Sequence, residues 1–250
     1  MFTPHTGKVA IVMGASRNLG RATAEMLGAE GSSVVVHYHD PARKAEAEQV
    51  AQNICELGGE GAAAVEQADL TQVKEIEGLF GRTLERFGRL DVLVNTSGMV
   101  IKKPLIEYSE SEYDHLFAVN AKAAFFCMRE AAKHMNDEGR IINIVTTILA
   151  ATMPMYAAYA GSKAPVEDFT RALAKEIAPR GITVNAIAPG PLNTSFYHSA
   201  ETPDSVARVT GANLLGEVRD VVPLVRFLAS PEARWITAQT IFINGGYMAR

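Results

Sequence analysis

Cysteine is scarce: 250 residues contain two, Cys55 and Cys127, far apart and without metal-ligand spacing. Both read as small buried hydrophobes of a reducing compartment, which excludes a disulfide scaffold and a cysteine-based zinc site. Positive charge is not in surplus. Twenty-four Lys and Arg against 28 Asp and Glu give a net charge of −4, and no basic tract offers a nucleic-acid surface. No apolar run reaches the roughly 18 residues needed to span a membrane. Residues 1–8 lack the charged-then-apolar layout of a secretory leader. Repeats, linkers and low-complexity stretches are missing as well. The expectation is a soluble, cytoplasmic, single-domain protein over residues 1–250, with 48% hydrophobic residues to fill its core.

What the chain does have is alternation. Short, nearly continuous apolar runs at 9–13, 33–37, 62–65, 91–94, 141–145, 183–187 and 240–243 suit strands covered on both faces. Between them, residues 19–30, 43–57, 73–87, 111–135, 157–178 and 218–229 carry apolar side chains at helical spacing. The pattern predicts an α/β, doubly wound, Rossmann-type parallel sheet of seven strands with helices on both faces. Ligands of such sheets bind beyond the carboxyl ends of the strands. Small, polar and glycine-rich residues gather at those ends: 14–20, 38–40, Asp69, 95–98, Thr146 with Thr147, and 189–194.

Two of these places carry recognisable chemistry. The first strand runs into Gly14-Ala15-Ser16-Arg17-Asn18-Leu19-Gly20 and then a helix, whose N-terminal N–H groups and dipole suit a pyrophosphate. Asn18 stands where a middle glycine is expected, and asparagine tolerates the left-handed conformation. Tyr159 and Lys163, four apart, share a helical face. A free tyrosine has a pKa near 10, and an adjacent ammonium stabilises its phenolate, making it a usable acid or base. Tyr156 has no such partner, because Ala160 lies four residues on. Pro165, two residues past Lys163, predicts a kink in the same helix.

In order and spacing, the glycine loop, Asn95-Thr96-Ser97-Gly98, Asn120, Tyr159-Ala160-Gly161-Ser162-Lys163, Pro189-Gly190 and Ile243-Asn244-Gly245-Gly246-Tyr247 resemble the short-chain dehydrogenase/reductase family. The chain is similar to its carbonyl and 3-oxoacyl reductase group. The resemblance implies a nicotinamide cofactor cradled by Gly14, Ser16, Arg17, Asn18, Leu19 and Gly20, with Asp69 and Leu70 at the adenine. Asn95, Ser97 and Gly98 would lie beneath the cofactor, and Pro189, Gly190 and Thr194 would meet the nicotinamide. An NAD(H) site needs an acid after the second strand. That position falls on Tyr38, while Arg17 and His39 suit a 2′-phosphate, so NADP(H) is expected. Asp40 keeps NAD(H) open. A metal held by His37 and His39 would lack a third ligand; none is expected.

The same resemblance makes Tyr159 the proton donor, Lys163 the holder of the nicotinamide ribose, and Asn120 the holder of a water linking Lys163 to solvent. A packing role for Asn120 stands beside that. Thr146 occupies the place of the family's serine, and Thr147 is a second candidate for that hydroxyl. Residues 190–213 read as a substrate lid, with Phe196 and Tyr197 joining Met153, Met155 and Tyr156 in an apolar wall. The expected substrate is a small or hydrophobic carbonyl compound or its alcohol. A 3-oxoacyl group on acyl carrier protein would call for a basic rim, yet Asn136-Asp137-Glu138 is acidic and only Arg180 remains. An NAD-dependent polyol or sugar dehydrogenase and a non-catalytic nucleotide-binding regulator are the other readings. By resemblance, the assembly is a homotetramer or dimer.

Overall fold

In the computed structural model the seven apolar runs are strands. They are β1 (Val9–Met13), β2 (Ser33–Tyr38), β3 (Ala63–Gln67), β4 (Val92–Asn95), β5 (Arg140–Ile144), β6 (Thr183–Pro189) and β7 (Thr240–Ile243). The structure describes residues 5–59, 61–151 and 153–248. Residues 1–4, part of the terminus read for a leader, lie outside them. All strand pairings are parallel, in the order β3-β2-β1-β4-β5-β6-β7.

The helices are α1 (Asn18–Ala29), α2 (Lys44–Gly58), α3 (Val73–Phe87), α4 (Glu110–Phe117), α5 (Ala123–His134), α6 (Ala157–Glu176), α7 (Ser195–His198), α8 (Pro203–Gly211) and α9 (Val218–Ala229). Successive strand residues point to opposite faces, so one strand feeds two cores. Ala10, Val12, Val34 and Val36 pack beneath α1, α2 and α9 with Leu27, Ile54 and Val225. Ile11, Met13, Val35 and Leu93 face α3, α5 and α6 with Leu79, Cys127 and Ala174. Cys127 is fully buried and Cys55 partly so. Among the described residues, no helix is long and apolar enough to cross a membrane. The chain's winding reverses between β1 and β4, and the crevice at that point opens at the carboxyl ends of the strands.

Two local features differ from the sequence expectation. The helix expected at 111–135 is two helices, α4 and α5, joined by a π-helical turn, Ala118–Lys122. The wider turn carries the buried polar side chain of Asn120 inward, where it has partners. Residues 195–213, which show no clear periodicity, contain α7 and α8. Each opens on a threonine cap: Thr194 accepts from the Tyr197 N–H and Thr202 from the Ser205 N–H. Helices this short leave too few turns for a period to be read. Helix α6 runs as one element from Ala157 to Glu176 with Pro165 inside it.

Candidate active site

The first strand ends at a loop whose shape depends on what it lacks. A side chain at Gly20 would put a Cβ 2.1 Å from the Gly14 carbonyl oxygen and 2.6 Å from Thr96 Oγ1, so only glycine closes this turn. Asn18 has φ of +50°, in the left-handed region. Helix α1 has no acidic residue in its first turn, and Arg17 at its N-cap makes no capping bond, so its N–H donors face the cavity unopposed by local negative charge.

A histidine anchors this loop. His37, at the end of β2, is completely buried, and both of its ring nitrogens are engaged by backbone. The Gly14 N–H donates to Nδ1 at 3.0 Å, and Nε2 lies 3.0 Å from the Ala68 carbonyl oxygen. A donor on one side and an acceptor on the other fix the neutral Nε2–H tautomer. No nitrogen remains for a metal shared with His39. Burial pushes the His37 pKa down to about 4, outweighing the Ala68 carbonyl, which favours the charged ring.

All of these strand ends open on one cavity of about 540 Å³. Every residue expected to take part in catalysis or cofactor binding lines it except Asn95 and Asn120. Asn95 is buried, with its Oδ1 lacking a partner. Around the far end, Arg17 is exposed at the rim, Tyr38 is buried, and His39 lies 3.9 Å from Asp69. Asp69 Oδ1 accepts from the Thr71 N–H and hydroxyl. Burial raises its pKa, but the Thr71 bonds outweigh that and hold the carboxyl below its usual value. Asp40, the residue that kept an acidic ribose contact open, spends Oδ1 on the Ala42 N–H and caps the short turn Pro41–Arg43. That turn sets Arg43 against the cavity, where it pairs with Glu46 at 2.5 Å. Sequence reasoning took Arg43 as the start of a helix and missed it as a candidate phosphate ligand.

At the inner end, α6 carries Tyr159 and Lys163 to the end of β5. Lys163 Nζ donates to the carbonyls of Ile144 (3.0 Å) and Ser97 (3.3 Å). A Cβ at Gly98 would meet that Nζ at 3.0 Å and Asn120 Oδ1 at 3.2 Å. Asn120 brackets Met99: its Nδ2 donates to the Met99 carbonyl and to Ser162 Oγ, and its Oδ1 accepts the Met99 N–H, all at 2.9 Å. Thr146 Oγ1 accepts from the Ile148 N–H at 3.4 Å and hydrogen-bonds the Tyr159 hydroxyl. Thr147 also lines the cavity, but its Oγ1 is taken by Asn244 Nδ2 at 2.6 Å.

Burial dominates the electrostatics of this pair. It pushes the Tyr159 pKa up to about 12, with the Thr146 bond opposing, and pulls the Lys163 pKa down to about 8. The expectation that Lys163 lowers the tyrosine does not describe the protein groups by themselves. Tyr159 is left a neutral phenol at pH 7, able to give a proton to an acceptor in the cavity.

The wall beside Tyr159 contains Met153, Tyr156, Phe196 and Tyr197, as expected. Met155 does not belong to it: with φ of +70° and 42% exposure, it faces solvent. Lys102 and Glu201 also line the cavity and carried no sequence signal.

A family model described as enoyl-(acyl carrier protein) reductase matches residues 14–248. A short-chain type dehydrogenase/reductase from Picea abies is 40% identical over 249 residues, covering 96% of this chain and 92% of that protein. The NADPH-dependent aldehyde reductase-like protein, chloroplastic, of Arabidopsis thaliana is 38% identical, covering 98% and 96%. A Burkholderia cenocepacia protein crystallised with bound NADP is 44% identical, with a TM-score of 0.95, covering 100% of this chain and 97% of that one.

Proposed function

Because the chain belongs to the short-chain dehydrogenase/reductase family, we propose that it interconverts a small or hydrophobic carbonyl compound and its alcohol, with Tyr159 as the proton donor and acceptor. It is an NADP(H)-dependent oxidoreductase. The chain's own residues fit that cofactor. The glycine turn at Gly20 and the acid-free first turn of α1 suit a pyrophosphate. Arg17 and Arg43 form a cationic rim for a 2′-phosphate with the His39 ring beside them, and the capping bond of Asp40 argues against an acidic ribose contact. Asp69 and Leu70 would meet the adenine, Asn95, Ser97 and Gly98 would underlie the ring system, and Pro189, Gly190 and Thr194 would hold the carboxamide. When bound, NADPH supplies the hydride.

One observation carries the proposal: the buried Tyr159 hydroxyl, bonded to Thr146 and one helical turn from Lys163, faces a cavity at the ends of the strands. In reduction Tyr159 gives its phenolic proton to the carbonyl oxygen as that oxygen gains charge, and the Thr146 hydroxyl donates a second hydrogen bond to it. Lys163 stabilises the tyrosinate left behind, and Asn120 fixes the Met99 backbone beside Lys163. The substrate is taken as a free small molecule; Arg180 and residues 136–138, which precede β6 and β5, lie at the amino ends of the strands, away from the cavity, and do not bear on a carrier. The reading extends to one domain over 1–250 with residues 190–213 as its lid, working in the cytoplasm as a homotetramer or dimer. NADPH oxidation followed with ketones, quinones, acyl thioesters and, in reverse, polyols tests it. Consumption with free ketones is expected; turnover confined to acyl-carrier thioesters or polyols would overturn the substrate class.

A further inference from the structure

An ion pair stands in the wall of the substrate cavity, and neither hydride transfer nor cofactor binding uses it. Glu201, between α7 and α8, has a side chain only 4% exposed. Its Oε2 accepts from Lys102 Nζ at 2.6 Å, and its Oε1 accepts the Tyr156 hydroxyl. The Lys102 ammonium also lies 5.1 Å above the Tyr156 ring. Lys102 follows β4, Tyr156 precedes α6 and Glu201 belongs to the lid, so three distant segments meet here. The Tyr156 and Tyr159 rings are 6.1 Å apart. A substrate with its carbonyl at Tyr159 therefore touches this cluster with its other end.

Desolvating a lysine and a glutamate contributes little to stability, so the pair's position against the substrate space calls for another role. From it we infer that Lys102 and Glu201 are specificity-determining residues that select carbonyl compounds bearing a neutral hydroxyl group a few bonds from the reacting carbon. The inference rests on the carbonyl-reductase reading and deepens it.

Hydrogen-bonding capacity identifies the group. Glu201 accepts from Lys102, Tyr156 and Ser205, which leaves about one of a carboxylate's roughly four acceptor positions. Lys102 spends one of its three N–H donors on Glu201. One spare acceptor beside spare donors matches a hydroxyl, which both gives and takes. The pair is neutral as a unit. A substrate carboxylate would gain Lys102 but face Glu201, and a substrate ammonium would meet the reverse. A plain hydrocarbon would strip water from both charges and return nothing. A site built to hydrogen-bond a hydroxyl disfavours the analogue lacking it.

Cyclohexanone, 3- and 4-hydroxycyclohexanone, 4-oxocyclohexanecarboxylate and 4-aminocyclohexanone, each reduced with NADPH, provide the test. At least one hydroxyketone should exceed cyclohexanone and both charged ketones in kcat/KM by about tenfold or more. In Lys102→Met and Glu201→Gln, verified as folded by NADPH titration, that ratio should fall below about threefold. Equal or better use of cyclohexanone or a charged ketone by the natural protein overturns the inference, as does a hydroxyl preference that survives both substitutions. In those outcomes ketones are still reduced and the carbonyl-reductase reading stands. Consumption of NADPH by none of the ketones overturns both.

Discussion

Acidification should loosen the cofactor loop through His37, and the size of the effect follows from the structure. Ordinary histidine titrates near 6.5, whereas burial holds His37 neutral down to about 4. Between those values the unfolded chain binds a proton that the native protein refuses, so stability rises with pH there and is lost as pH falls from 6.5 toward 4. That gap corresponds to about 3 kcal/mol of native stability present at pH 7 and gone near pH 4. Protonating Nδ1 also sets a donor against the Gly14 N–H, so the failure begins at the glycine loop. Urea unfolding at pH 7, 6, 5 and 4, for the natural protein and for His37→Asn, isolates the term. The asparagine Oδ1 can still accept from Gly14, while the Ala68 carbonyl loses its partner at a cost of about 1–3 kcal/mol that does not vary with pH. The natural protein's advantage at pH 7 should shrink by about 3 kcal/mol by pH 4. Other groups, His5 among them, titrate alike in both proteins and cancel. A difference constant across that range would refute the assignment of a neutral, backbone-locked His37.

Four further outcomes are expected. Tyr159→Phe removes only the phenolic hydroxyl: ketone reduction should fall by roughly 10³-fold or more, with the NADPH dissociation constant, read by fluorescence titration, little changed. Thr146→Ala should lower kcat/KM by roughly 10²-fold, as loss of one donor to a developing oxyanion does, whereas Thr146→Ser should stay within a few-fold; an unchanged alanine variant would move the role elsewhere. Arg17→Ala should weaken NADPH binding by roughly tenfold while leaving NADH binding unaffected, because the lost charge-assisted bonds serve only the 2′-phosphate. Burial holds Lys163 at about 8, so its ammonium is lost as pH rises through that value. The pH profile of reduction should fall there, and Lys163→Arg, always charged, should carry what activity it retains to higher pH.

The parts of this site that were legible in the sequence are those the backbone period creates. Apolar runs mark strands, strand ends mark where ligands sit, and the residues there announce themselves by type: Gly14 and Gly20 by their absent side chains, Asn18 by its tolerance of positive φ, Tyr159 and Lys163 by sharing a helical face. The illegible parts arise from pairing across elements. Asn120 looks like a middling residue in a long helix, and five residues of π-helix are too few to displace an apolar period that continues on either side. His37 invites a metal reading from its spacing to His39. Only the fold reveals that Gly14, on a neighbouring strand's loop, and Ala68, beyond the next strand, have already taken both of its nitrogens.

Lys102 and Glu201 are the extreme case, 99 residues apart with no motif around either, and joined only because the segment between α7 and α8 and the loop after β4 meet at the same cavity. The asymmetry has a physical cause. Hydride and proton transfer need groups held on regular elements within hydrogen-bond reach, so chemistry sits where periodicity is strong. Substrate choice needs only that some side chain on a loop reach the bound molecule, and loops carry no period to read. A chain of this family can therefore declare its reaction in its helices and strands while its substrate preference stays hidden in one ion pair. That ion pair, rather than Tyr159, is where a change of two residues would redirect the enzyme without touching its chemistry.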